Sequence, residues 1–356
     1  MSATAPTSCG KDGWSGISPD TNYRKPTSFV WRCIMTDHGL TTQPAAANAS
    51  VLTHMPGVAF MLILLFVAFA TASPGFATLA NLSNVVLQST ILLIIALPMT
   101  LIIMTEGLDL SMGAVLTLTS IVFAAVLLPT GSYAVAFLAS SAVGSLFGAA
   151  NGWLIAVPRI PPFVTTLGTL GIAQGLCLIV TDGQSIVGLP PQLQLLYAGT
   201  ILGVPVPLVM AAVAYLAIHG VLYHTRFGTY VPALGGNREA LRQAGVNDSL
   251  VLVAVYTLGG FMAGVAATLL TARMNAAHPT AAIGMEFDAI AAVAVGGTQF
   301  ERGNGWLFGT LLGVATIGVL RNGLNLLAIP SSVQVSCVGL LVVLALLVDG
   351  LRSTDE

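Results

Sequence analysis

Lysine is nearly absent from this chain: two residues, Lys11 and Lys25, stand in a sequence of 356. A phosphate-cradling loop of the G-x-x-x-x-G-K-[ST] kind needs a lysine after its glycines to reach the phosphates, and neither lysine has that setting. ATP and magnesium are therefore not expected on this chain. Charge of either sign is scarce, at 7% of residues against roughly 25% in soluble domains, which excludes an ordinary water-soluble fold. The net charge of −2 offers no basic face for nucleic acid. Cysteine is scarce too: Cys9, Cys33, Cys177 and Cys337 have no C-x-x-C spacing and read as free thiols, with no disulfide framework. No H-E-x-x-H run, nucleophile elbow or cluster of metal ligands is present, so neither a catalytic nor a metal site is expected.

What is abundant is apolar. Hydrophobic residues make up 55% of the chain and the mean hydropathy is +0.89. A helix needs about 20 apolar residues to cross ~30 Å of hydrocarbon. Candidate segments are 56–73, 82–104, 113–128, 133–157, 163–181, 201–223, 250–271, 288–299, 306–320 and 331–348. The fold class is thus all-α and polytopic, with about ten transmembrane or partly crossing helices. Segments 288–299 and 306–320 are short for upright spans and are expected to be tilted, half-crossing or re-entrant, which is tolerated only where backbone is buried or faces water. Residues 1–50 are rich in Thr, Ser, Pro and Asn and read as a disordered tail; the membrane domain occupies 51–352, with its longest connecting loop at 224–249.

Basic residues orient a membrane protein because they stay on the cytoplasmic side. With an even number of crossings and the N-terminus inside, Lys11, Arg24, Lys25, Arg32, Arg159, Arg226, Arg238, Arg242, Arg302 and Arg352 fall inside, and only Arg273 and Arg321 outside. Both termini are therefore expected in the cytoplasm. Ion-coupled carriers keep ionisable groups at mid-membrane. Here Glu106, Asp109, Glu286 and Asp288 all stand at segment ends, and His219 is the exception, near the inner end of its span. In the long loop, Asn237 can cap a short helix-forming run, Arg238 to Ala244, stopped by Gly245. A capped, charged helix at a membrane surface is shaped to be gripped by a soluble partner; the plain alternative is a connector.

Five stretches, in order, carry a resemblance: Met104-Thr-Glu-Gly-Leu-Asp-Leu-Ser-Met-Gly113; Asn151 through Gly168; Arg226-Phe-Gly-Thr-Tyr230 with Gly235-Gly-Asn-Arg-Glu-Ala240 and Ala244-Gly-Val246; Pro279-Thr280 with Gly284 and Glu286 through Thr298; and Asn322-Gly-Leu-Asn-Leu-Leu327. From about residue 56 to 350 the chain resembles the permease subunits of ATP-binding-cassette importers of the ribose, xylose, galactoside and autoinducer type. The resemblance implies a multi-pass protein of the bacterial plasma membrane that moves a small polar solute inward by alternating access. It implies three protein partners: a cytoplasmic ATPase that binds the ATP and magnesium, a periplasmic or lipid-anchored solute-binding protein, and a second permease copy or paralogue. The loop would be the coupling loop, with Arg226, Gly228, Gly235, Gly236, Asn237, Glu239, Ala240 and Gly245 at the ATPase contact.

Departures from the family pattern are informative. Leu241 replaces an alanine in the coupling loop and could alter the fit of the groove. Glu106 replaces the first glycine of T-G-G-I-D-L-S, either as an interfacial carboxylate or as a groove-lining acceptor that tunes specificity. Leu92 and Pro98 stand where many sugar permeases have Asn and Gly. His278 stands where Gln is common before Pro279, and these two are candidates for touching the binding protein. Candidates for the translocation path are Gln88, Glu106, Asp109, Thr165, Thr169, Asn322 and Asn325; such a modest polar lining suits a neutral, hydroxylated solute. Gly144/Gly148/Gly152 and Gly305/Gly309/Gly313 repeat at i+4, the spacing that lets helix backbones approach closely. Branched-chain amino-acid permeases and ATPase-free carriers are the rival readings within transport.

Overall fold

A computed structural model of the chain describes residues 49–300 and 303–353. The tail expected over 1–50 lies outside these residues except for Ala49 and Ser50, which already begin the first helix. The main helices are α1 (Ala49–Ala72), α2 (Leu79–Met104), α3 (Met112–Thr130), α4 (Tyr133–Ala156), α5 (Pro162–Thr181), α7 (Val206–His224), α10 (Asp248–Met274), α11 (Met285–Val295), α12 (Leu307–Leu326) and α13 (Ser331–Ser353). A 3₁₀ turn (Pro191–Gln194), the one-turn α6 (Leu195–Ala198) and a two-residue hairpin of β1 (Thr200–Ile201) and β2 (Val204–Pro205) join α5 to α7. Two short helices, α8 (Arg226–Gly236) and α9 (Arg238–Gln243), join α7 to α10.

Seven helices, α2, α3, α4, α5, α7, α10 and α12, are long and apolar enough to cross a membrane among the described residues. This is an almost wholly helical, multi-pass membrane protein. Helix α2 is the axial element, buried without a break from Thr90 to Thr105; a helix apolar on every side belongs in the middle of a bundle. Of the two short segments one needs correction and the other is as expected. Segment 306–320 becomes α12, which runs on past Arg321 and Asn322 to Leu326 and is 20 residues long. Segment 288–299 becomes α11, with 11 residues, about 16 Å of helix at 1.5 Å per residue. It is a half-length helix, preceded by irregular backbone from Asn275 to Gly284.

Glycine stripes decide which helices meet. A Cβ on Gly144 would strike the carbonyl of Gly260, one on Gly148 the carbonyl of Tyr256, and one on Gly152 the backbone of Val253, so α4 and α10 pack backbone to backbone. Likewise Gly309 and Gly313 of α12 lie against the carbonyls of Gly296 and Ala292, which sets α11 antiparallel to α12. Gly305, the first of that stripe in sequence, lies ahead of α12 and abuts the Met104 side chain. Cys177 is buried and Cys337 half-buried, and both are free thiols. His219 stacks in a ring cluster with Tyr215, Tyr223 and His224, the Tyr223 ring being nearest at 4.6 Å.

Candidate functional site

The connection between α7 and α10 is more ordered than its sequence suggests. Residues 226–236, with three glycines and Pro232, read as loop by propensity, yet they form the helix α8. Its spacing explains it: Gly228, Val231, Leu234 and Gly235 are buried on one side, while Arg226, Thr229 and Gly236 are exposed. Thr225 caps the helix, its hydroxyl accepting from the Gly228 amide at 3.2 Å. Gly228 has no room for a Cβ, because the carbonyl of Leu222 occupies that space as the chain turns out of α7. Asn237 then serves both helices. It ends α8 and caps α9, its side-chain oxygen accepting from the Ala240 amide at 2.9 Å.

Helix α9 is held by charge on one side and by one apolar anchor on the other. Arg238 Nε and Arg242 Nη2 both donate to Asp248 Oδ2, at 2.5 and 2.9 Å, and the bond from Asp248 raises the pKa of Arg242 further above its already high value. Leu241, the departure from alanine, is buried against the protein itself. It therefore anchors the helix to its own chain and does not point toward a partner. The outward face carries Gly236, Asn237, Glu239, Ala240 and Gly245, all exposed, with Gly245 in the left-handed region at φ +80°.

Beneath this helix pair three membrane elements converge. Gly235 lies against the Met104 carbonyl at the end of α2, and Gly303 lies against Pro232 and Gly236. The Trp306 indole donates to the Gly296 carbonyl at 2.9 Å, closing the 296–306 turn between α11 and α12. The α8–α9 surface is thus seated on the ends of the axial helix and of the half-length helix.

Glu106 stands at the same end, just beyond α2, exposed and with φ +60°. A left-handed backbone is the conformation glycine adopts freely and other residues adopt at a cost of ~1–2 kcal/mol, which explains why glycine is usual here. Asp109 is buried. Its Oδ1 accepts from the Ser111 amide at 2.9 Å and the Ser111 hydroxyl at 2.6 Å, and Ser111 Oγ accepts from Asn151 at 2.9 Å. That cluster starts α3 and ties it to α4. Thr165 and Thr169 lie on the buried stripe of α5; Thr169 donates to the carbonyls of Thr165 and Thr166, while Thr165 Oγ1 has no partner among the described residues. Gln88 is exposed on α2.

At the opposite end, Asn322 and Asn81 exchange amide hydrogen bonds at 3.0 and 2.8 Å, and Asn325 accepts from Gln334 at 2.9 Å. His278 is exposed, whereas Pro279 is buried and its carbonyl accepts from Gln174 at 2.9 Å. Loop residue Ala277 is bridged to Ile186 by paired backbone bonds of 2.9 Å. The sequence-derived path candidates therefore fall in three separate places: the α8–α9 end, the α5 stripe and the opposite end of α2 and α12.

Glu286 and Asp288 stand at a segment end, as expected, but that end is buried. They do open a helix, but α11 starts inside the bundle. Glu286 accepts from the Gly284 amide at 3.1 Å and fills the space over Gly113. Asp288 Oδ1 accepts from Arg321 Nη2 at 2.6 Å. Arg321, expected outside, is an internal residue of α12. An arginine within an apolar run demands a counter-charge; that signal was present in the sequence, although the partner, 33 positions away, was not.

A family of proteins described as branched-chain amino acid transport system / permease component matches residues 81–346. The chain is 39% identical over 292 residues to the ribose import permease protein of Escherichia coli (strain K12), covering 81% of this chain and 91% of that protein. It is 37% identical over 294 residues to the ribose import permease protein of Bacillus subtilis (strain 168), covering 82% and 91%. To the D-allose transport system permease protein of Escherichia coli (strain K12) it is 32% identical over 299 residues, covering 83% and 92%. No solved structure matches the chain. With that extent of match laid over an almost wholly helical, multi-pass bundle and a seated surface helix pair, the chain belongs to the branched-chain amino acid transport system / permease component family of membrane permeases.

Proposed function

We propose that this permease carries a monosaccharide, or a related polyol, into the cytoplasm as the membrane subunit of an ATP-binding-cassette importer. The observation that carries the reading is the α8–α9 pair: capped, ion-paired to its own chain, exposed on its outer face and seated on the ends of α2 and of the α11–α12 turn. A partner that pushes on that face moves helices in the bundle directly. The ATPase holds the ATP and magnesium, and the permease performs no covalent chemistry. Its relatives named for ribose and allose favour a sugar over a branched-chain amino acid.

In this reading α8 and α9 are cytoplasmic and both termini share their side. A periplasmic or lipid-anchored binding protein delivers solute to the opposite end, where His278 is exposed and Pro279 supports the loop. A second copy or a paralogue completes the path. Ala240→Glu tests the assignment. The position is exposed, so the variant should fold and reach the membrane. A charge desolvated against a partner without a counter-charge is costly, so the ATPase should fail to co-purify and uptake of labelled ribose should stop. Co-purification at wild-type yield together with normal uptake would make α9 a connector and move the search for the coupling surface to Arg159 through Pro162.

A further inference from the structure

The pairing of Asp288 with Arg321 does more than neutralise two charges. Arg321 lies five residues before the end of α12, about 7–8 Å inside the outer end of that helix at 1.5 Å per residue. Helical side chains lean toward the helix N-terminus, so the guanidinium reaches inward to the first turn of the half-length α11. The carboxylate side chain is 8% exposed and the arginine side chain 34%. Phe287, the residue before Asp288 on α11, is 56% exposed, and Ile283 in the preceding loop is 59% exposed. Arg321 Nε is buried with no partner among the described residues.

That exposed face is not suited to lipid. It adjoins irregular backbone at 275–284, and irregular backbone is tolerated at membrane depth only against protein or water. Charged side chains within spans follow the same rule, facing the bundle interior or an aqueous cavity. We infer that the Asp288–Arg321 pair and the Phe287 ring form a solute contact in the outer half of the translocation path, made for a neutral, polyhydroxylated molecule. The inference rests on the sugar-import reading and deepens it.

The chemistry fits a sugar and not an ion. The two charges of the pair offset each other, so the pair itself offers no single charge to hold an ion. Between them they present a carboxylate oxygen that accepts and several N–H groups that donate, the complement of a hydroxyl array. An aromatic face beside a few convergent polar groups is the common composition of a small-molecule site. Because Arg321 and Asp288 already satisfy each other, each contact to the solute replaces part of an existing bond. Affinity stays low, and the solute is released.

The test has two arms in vesicles carrying the complete transporter. In a background with Cys9, Cys33, Cys177 and Cys337 replaced by serine, Phe287→Cys should react with a membrane-impermeant thiol reagent, and ribose-loaded binding protein should slow that reaction. This arm leaves the ion pair intact. In the second arm, Arg321→Gln and Asp288→Asn should raise the KM for ribose uptake about tenfold, the loss of roughly one charge-assisted hydrogen bond, with the ATPase still co-purifying. Phe287→Ala should raise KM without disturbing either charge. An unreactive Phe287→Cys overturns the inference, and so does reactivity combined with an unchanged KM in all three variants, which would leave the pair as a structural pin. Should the parent transporter take up neither ribose nor allose, the sugar reading fails instead, and the thiol reactivity still decides whether the start of α11 faces water.

Discussion

The same device, arginine on aspartate, appears at two places in this protein and does different work in each. At the α8–α9 surface Asp248 takes two arginines whose side chains are 34–39% exposed. Water competes for every one of those bonds, and exposed pairs of this kind contribute ~0–1 kcal/mol each. Asp288 meets a single arginine inside the bundle, beside a helix that starts half-way through. The two places are exposed to a similar degree, 8% for each aspartate and 34–39% for the arginines, so the difference lies in what is joined: Asp288 has one partner, and that partner stands on another membrane helix. The surface pair tunes the fit of a small helix; the internal pair decides whether α11 and α12 stay together.

The largest effect should come from separating the internal charges. Asp288→Ala leaves Arg321 without its partner and should cost about 2–3 kcal/mol, less than a fully buried pair because the arginine side chain is 34% exposed, read as a drop in the unfolding temperature of detergent-purified protein. Adding Arg321→Met should recover most of it, because removing both charges also removes the desolvation problem. A double variant no more stable than the single would mean that the pair contributes through geometry and not charge. Next comes Gly148→Leu, whose side chain must displace the Tyr256 backbone and so prise α4 from α10; a loss of ~1–3 kcal/mol, typical of overpacking, is expected in the same assay.

On the surface the effects should be smaller on stability even where function is lost. Asp248→Asn should lower stability by less than ~1 kcal/mol after allowance for screening, while salt weakens the wild type toward the variant. If Asp248→Asn proved as damaging as Asp288→Ala, the contrast between the two places would fail. The smallest change is a gain. Glu106→Gly relieves a left-handed backbone and should raise stability by about 1 kcal/mol. Ribose uptake measured on the same variant decides the role of the carboxylate: unchanged rate and preference make it an interfacial residue, and altered uptake makes it part of the path.

The sequence made some of this legible and hid the rest for physical reasons. The seven full-length spans could be read because a span is an uninterrupted apolar run. The cap at Asn237 could be read because an N-cap is a local hydrogen bond, closed within three residues. Helix α8 was missed because Phe227-Gly-Thr-Tyr-Val-Pro-Ala-Leu-Gly-Gly236 has poor helix propensity, and burial of Val231 and Leu234 overrides it. Glu106 was visible as an unusual residue, while its positive φ was not. Leu241 looked like a change at a partner surface and is an internal anchor.

Apolar composition by itself determined that the chain enters the membrane as helices, since every backbone amide in hydrocarbon must find its partner within its own segment. It determined roughly where each helix begins and ends. Only the tertiary structure decided which helices touch. A span apolar on all sides carries no face that names its neighbour, so adjacency is set by close backbone approach at Gly144, Gly148, Gly309 and Gly313. Only folding, too, brings Arg321 to Asp288, because the partner of a buried charge is chosen by distance in space and leaves no mark in the spacing of the chain.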